Sequence, residues 1–337
     1  MSVNYIYQQP PAAASLQRME CGVGWLYMPL PFALDHVNLW VIGADTDTSL
    51  LIDTGINSAK TKEFWSTIFE TVPRPDRLLV THYHPDHAGL SHWFQENYDT
   101  EVFMSAKELA LVEAAFSESD ESFSGLQKAW YQQQGLGGQQ LEDSAIEGNS
   151  YRAIVSGIPA VKNILCNGQT IEAGDTQWTI ITGGGHSPEQ IALYSPDLNV
   201  LVAADQILPK ITPNISLSWY KKDSDPLAEF LASFSSFEHL PEDVVVLPSH
   251  GLPFTGLHQR MAVLEAHHKE RLEALLGATA TEKTPAELLP VLFTRELDPR
   301  QMMFAMGECV AHLRYLQNRG ELQLNHHDEQ DFYQRSA

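Results

Sequence analysis

The stretch Thr81-His82-Tyr83-His84-Pro85-Asp86-His87-Ala88-Gly89 places three imidazoles and a carboxylate within six residues. It follows the apolar run Arg77-Leu78-Leu79-Val80, which reads as a buried strand giving way to a loop. Such groups repel one another when protonated and cost free energy when buried unpaired, and a metal ion removes both problems. Neutral imidazole and carboxylate are ligands for zinc and for non-haem iron or manganese. His82-x-His84 sets two imidazoles on one side of an extended segment, and Asp86 and His87 follow a turn forced by Pro85. One segment therefore offers donors to two adjacent metals.

The same pattern, a polar donor at the end of an apolar run, recurs downstream. Gln177 to Ile181 runs into Thr182-Gly183-Gly184-Gly185-His186-Ser187-Pro188, where three glycines let the backbone approach something closely. Leu198 to Ala204 ends at Asp205, and Asp243 to Leu247 ends in Pro248-Ser249-His250-Gly251. An earlier strand ends in Asp53-Thr54-Gly55; Asp53 either orients the metal loop or closes an Asx-turn. Four strand ends thus gather His82, His84, Asp86, His87, His186, Asp205 and His250, and seven donors suit two metals.

The order HxHxDH, then His before Ser-Pro, then Asp, then His resembles the metallo-β-lactamase superfamily of metal-dependent hydrolases, over about residues 22–256. The resemblance implies an α/β fold, the four-layer αββα sandwich. It also implies His82, His84 and His186 on one metal, Asp86, His87 and His250 on a second, and Asp205 between them. Two divalent ions, zinc foremost with iron or manganese as alternatives, would hold a bridging hydroxide as nucleophile, since metals lower the pKa of water towards roughly 7. Asp86 is the expected catalytic proton carrier as well as a ligand. Asp205 stands where zinc β-lactamases of the best-known type carry Cys, so the ligand set is similar to that of glyoxalase II and phosphodiesterase branches. His84 stands where the di-iron oxygen reductases carry Glu. The sequence departs from the glyoxalase II pattern after His186, where Ser187-Pro188-Glu189-Gln190 leaves Glu189 beside the site without a role.

Composition bounds the function. The net charge of −22 repels polyanions, while leaving room for a small anionic substrate. Cys21, Cys166 and Cys309 form neither a disulfide framework nor a CxxC site, and no apolar run reaches the ~18 residues of a membrane span. A cytoplasmic location is the expectation.

Residues 1–19 read as a flexible lead-in, 20–260 as the catalytic domain with a helical insertion at about 105–165, and 261–337 as a helical C-terminal domain. His267 and His268 are expected on a solvated helix face. Pro299 to Asn318 reads as a long helix and Glu321 to Leu324 as a short strand, an order similar to the winged-helix tail of one superfamily branch. From 261 onward 8 Lys and Arg face 12 Asp and Glu, so a nucleic-acid footprint is missing. This tail is expected to pack on the catalytic domain, to wall the pocket or to form a homodimer contact. Lys210 and Asn214, on a Pro-stiffened run after Asp205, join Glu189 as candidate substrate contacts.

The leading expectation is a binuclear hydrolase of a small thioester or ester, resembling an acyl-thioester or acylglutathione hydrolase. A phosphodiesterase or ribonuclease and a noncatalytic metal-containing sensor are the rival readings. The expected partner is a small-molecule substrate, not a nucleic acid or a membrane.

Overall fold

A computed structural model describes residues 3–145, 147–220 and 223–336. They divide into two compact units, the first comprising residues up to 117, 151–213 and 233–261, the second 118–150, 214–232 and 262–337.

The first unit holds two seven-stranded sheets. Its strands are β1 (Asn4–Tyr5), β2 (Leu16–Arg18), β3 (Val23–Pro29), β4 (His36–Ile42), β5 (Leu50–Ile52), β6 (Arg77–Leu79), β7 (Glu101–Met104), β8 (Asn163–Ile164), β9 (Thr170–Ala173), β10 (Thr176–Gly183), β11 (Gln190–Ser195), β12 (Val200–Ala204), β13 (Val245–Pro248) and β14 (Phe254–Thr255). One sheet runs β2 to β8 in sequence order; the other runs β1-β14-β13-β12-β11-β10-β9. Alternation along the strands explains the layering. Leu39 and Val41 of β4 join a core shared with Trp65, Phe94 and Val112 of the helices α1 (Ala59–Ile68), α3 (Ser91–Tyr98) and α4 (Ala106–Ser117). Helix α2 (Pro85–Ala88) lies inside the histidine motif. Trp40 and Ile42 point the other way, into a second core with Trp178, Ile180, Leu193, Val202 and Leu247 of the facing sheet. A strand buried on both faces reads as a continuous apolar run, as Leu39 to Ile42 of β4 do. Trp25 and Trp40 oppose each other in register and stack at 5.7 Å. The result is a mixed α/β sandwich.

The lead-in departs from the flexible segment expected of it. Asn4 and Tyr5 pair with Thr255 and Phe254, Leu16 to Arg18 pair with Gly24 to Leu26, and Tyr7 packs edge-on against Trp25. The β1 pairing leaves no local signal because its partner lies at the far end of the unit's chain, whereas β2 pairs with the neighbouring β3.

The second unit is helical, with α5 (Asp120–Gln133), α6 (Gly138–Ser144), α8 (Pro226–Ser233), α10 (Pro285–Leu292), α11 (Pro299–Asn318) and the part of α9 (Leu257–Ala278) from Ala262 on. The single turn α7 (Ser150–Ala153) stands at the return of the chain to the first unit. The expected insertion is therefore split: α4 belongs to the first unit, whereas Trp130, Tyr131, Leu136 and Leu141 share one core with Leu288, Met306 and Leu313. Capping boxes, Thr284 with Glu287 and Asp298 with Gln301, start α10 and α11 as their sequences demand. The strand expected at 321–324 is β15 (Leu322–His327), hairpinned to β16 (Gln330–Arg335) through Asp328 and Glu329, both at positive φ.

His268 is buried, which corrects its expected place on a solvated face; His267 is half-buried and accepts from Arg271 Nε at 2.7 Å. His312 donates Nδ1–H to the Glu308 carbonyl, so its Nε2 accepts from His268 Nδ1–H at 3.1 Å. Burial, reinforced by His312, His267 and Arg271, depresses His268 to about 3; burial depresses His312 to about 4. Phe230 of α8 packs edge-on against His268, and Glu308 faces Arg271 at 3.5 Å. Both histidines are neutral when folded and take up protons on unfolding below about pH 6.5, so stability is lost on acidification from there toward pH 4. The pair supplies up to about 4 kcal/mol of this loss by pH 5. Chemical denaturation at pH 7 and pH 5 should show a steeper fall for the wild type than for His268→Leu/His312→Leu.

Candidate metal centre

Each donor is delivered by a strand end of the first unit. After β6 the chain turns at His84, the N-cap of α2, with Pro85 in the first helical position. Gly89 closes the motif because a Cβ there would lie 2.3 Å from the Pro85 carbonyl and 2.5 Å from that of Gly55. β10 leads through Gly185, at φ 96°, to His186. β12 ends in Ala204, a non-glycine residue at φ 48°, and then Asp205; β13 leads to His250. Left-handed backbone at a non-glycine residue is strain that persists only where the surroundings impose it.

Three overlapping groups of donors result: His82, His84 and His186; His82, His87 and Asp205; Asp86, His87 and His250. Within each group the ligand atoms lie within 4.8 Å of one another. All seven residues proposed from the sequence are thus brought together, and Asp205 stands between the two ends, 3.3 Å from His186 Nε2 and 3.3 Å from His250 Nε2.

The tautomers follow from what lies behind the rings. Asp53, itself at φ 63°, accepts the Thr81 N–H and hydroxyl at 2.8 Å each and His87 Nδ1–H at 2.7 Å. Because Thr81 gives its proton to Asp53, its oxygen accepts His82 Nδ1–H at 3.0 Å. His250 Nδ1–H donates to the His36 carbonyl at 2.6 Å. Each of these three rings therefore keeps a proton on its outer Nδ1 and turns Nε2 towards the cluster. Asn38, fully buried, fixes the His250 loop by donating to the Pro248 and Gly251 carbonyls at 2.9 and 2.7 Å. His36 accepts the Gly251 N–H at 3.0 Å.

Buried polar atoms without a partner test whether the residues fit a metal. His87 Nε2, His250 Nε2 and Asp205 Oδ1 are buried and make no hydrogen bond; the 3.3 Å approach of His250 to Asp205 is too poorly aligned to count. Orphaned atoms of this kind cost about 1–3 kcal/mol each, and cations among them remove that cost. His and carboxylate donors without thiolate suit zinc, iron and manganese alike. Electrostatics agree. Burial alone would raise Asp205, yet His250 and His87 hold it well below the ordinary carboxylate value. Burial and the neighbouring imidazoles push His82 well down. Burial opposes charge on His87 too, but Asp86, Asp53 and Asp205 outweigh it and raise this ring.

Of the candidate substrate contacts, Glu189 and Asn214 are engaged in hydrogen bonds within the chain. The Glu189 carboxylate accepts the Lys107 N–H at 3.3 Å, with the Lys107 ammonium 3.8 Å away. Lys210 is exposed. Asn214 belongs to the second unit and accepts from Ser216.

Glu108, Thr81, Asn38 and His36 were not singled out in the sequence. Only Glu108 left a signal there, an acidic residue in the same helical phase as buried Val112.

Residues 33–250 match the family described as the metallo-beta-lactamase superfamily, and residues 272–335 match its described C-terminal domain. The chain belongs to the metallo-beta-lactamase superfamily. This superfamily member resembles the crystal structure of a beta-lactamase domain protein from Burkholderia ambifaria, with a TM-score of 0.89 and 35% identity over 99% of this chain and 98% of that one. It is similar to a metallo-beta-lactamase family protein from Thermus thermophilus, with a TM-score of 0.79 and 29% identity over 94% of this chain and 99% of the other. A curated relative, the probable metallo-hydrolase YqjP of Bacillus subtilis (strain 168), is 23% identical over 86% of this chain and 90% of its own length. No helix among the described residues is long and apolar enough to cross a membrane.

Proposed function

We propose that this superfamily member is a binuclear metal-dependent hydrolase of a small thioester or ester. The observation that carries the reading is the convergence of seven buried or half-buried donors with three orphaned atoms among them. When bound, divalent cations supply Lewis acidity and bring the pKa of water towards neutrality. His82, His84 and His186 would hold one; Asp86, His87 and His250 would hold the other, with Asp205 facing both. Asp53 and the His36 carbonyl keep protons on the outer nitrogens, so the inner ones stay free to bind. Asp86 has the most accessible carboxylate of the cluster, 3.5 Å from both His87 Nε2 and His250 Nε2. Its partial exposure suits it to take the proton of the attacking water and pass it to the leaving group. The charge of −22 supports a small substrate over a polyanion. Three free cysteines support a reducing, cytoplasmic setting.

Metal analysis of the purified chain followed by a panel of thioesters, esters, lactones, phosphodiesters and β-lactams tests the proposal. Two metals per chain with thioester or ester turnover is the expected result. Salt-sensitive RNA binding with phosphodiester cleavage, or two metals without any turnover, would overturn it.

A further inference from the structure

The carboxylate of Glu108 lies fully buried on α4, a helix that supplies none of the seven donors. Its Oε2 accepts the Tyr83 N–H at 3.0 Å, in the middle of the His82-x-His84 segment. Its Oε1 accepts the Ser187 hydroxyl and the Glu189 N–H, each at 2.7 Å, immediately after His186. One carboxylate therefore spans the two chain segments that carry His82, His84 and His186. Those segments come from different sheets, β6 from one and β10 from the other. The anchorage is reinforced on both sides. Tyr151 donates its hydroxyl to the Tyr83 carbonyl at 2.6 Å, and Ser105 donates to the Glu189 carbonyl at 2.9 Å. The other end is anchored separately: the Gly55 N–H donates to the Asp86 carbonyl at 3.1 Å, and Asn38 and His36 fix the His250 loop.

We propose that Glu108 is a positioning residue that sets the spacing of His82 and His84 relative to His186, and so tunes metal affinity at that end of the centre alone. The proposal rests on the metal-centre reading. A carboxylate accepts at both oxygens, and burial makes each unsatisfied donor costly, so the three bonds hold the segments at one separation. Gln in this place can accept at one oxygen only. Its amide nitrogen must then confront either the Tyr83 N–H or the Ser187 and Glu189 donors, and the two segments part.

Zinc titration of the full chain against a chromophoric chelator, with His84→Ala and His250→Ala identifying the two affinities, gives the test. Glu108→Gln is expected to weaken the His82/His84/His186 position by about ten- to a hundredfold while leaving the other within about twofold. The cobalt(II) absorption of that position should change in parallel. Unchanged affinity at both positions, or equal weakening at both as general destabilisation would produce, overturns the proposal. If Glu108→Gln fails to fold, Ser187→Ala removes one of the three donors and should cost about fivefold at the same position; no change there overturns the proposal. A wild type that takes up no zinc overturns the metal centre itself and this inference with it, a result distinct from a two-zinc wild type whose variants are indifferent.

Discussion

An Asp205→Ala variant is expected to lose hydrolytic turnover by about 10³-fold or more and to hold fewer than two metals per chain, as read by steady-state kinetics and metal analysis. The expectation rests on position. Asp205 stands 3.3 Å from His186 Nε2, 3.3 Å from His250 Nε2 and 3.6 Å from His87 Nε2, so it faces donors of both ends. Removing its carboxylate would take away one of the acidic partners that raise His87 and His250 when no metal is present, and would leave each end one ligand short when metals are. Asp205→Asn keeps the volume and loses the charge; it should fall between the wild type and Ala in metal content. Full turnover in Asp205→Ala would sink the binuclear mechanism.

The second large effect is expected from Asp53→Asn, a change of one atom at a residue that touches no metal. Asn tolerates the left-handed backbone found at Asp53, so the loop itself has no reason to rearrange. Its amide nitrogen cannot accept a proton where the Oδ2 of Asp53 now accepts from both Thr81 and His87. If the amide turns over, the Thr81 N–H loses its acceptor instead. Held in the first orientation, His87 is driven to carry its proton on Nε2, the atom that faces the cluster, and Thr81 no longer dictates the tautomer of His82. Metal affinity should fall by about ten- to a hundredfold, with both ends affected because both rings depend on the one carboxylate. This separates Asp53 from Glu108, whose effect is confined to one end. Chelator competition on the same preparation measures both, and unchanged affinity in Asp53→Asn would refute the tautomer argument.

The donors were legible because each breaks a strongly apolar run at a strand end, where a polar side chain has no packing explanation. Elements with unambiguous periodicity and punctuation were legible as well: α11 at Pro299–Asn318 stands where its residues place it. What the sequence hid depends on partners remote along the chain. The strand at Asn4–Tyr5 exists because Phe254 and Thr255 offer an open edge, and nothing near Tyr5 announces that. β16 was missed because its turn is Asp328-Glu329, both left-handed, without the glycine that usually marks such a hairpin. The burial of His268 depends on His312, which a helical wheel of α9 alone does not contain. Glu108 and Asn38 act through main-chain groups of distant loops, and a main-chain N–H or carbonyl carries no letter in the sequence.

The seven donors lie between His82 and His250, and β13, which delivers the last of them, pairs in parallel with β12. A nascent chain therefore displays His82, His84, Asp86 and His87 well before Asp205 and His250 have been synthesised, on the order of ten seconds earlier at roughly 5–20 residues per second. During that interval the exposed quartet is a partial, unselective trap for any cation in the surrounding fluid. Complete loading would have to wait until Asp205 and His250 have emerged and the second sheet has closed over the first, so the ion retained would depend on what is abundant at that moment.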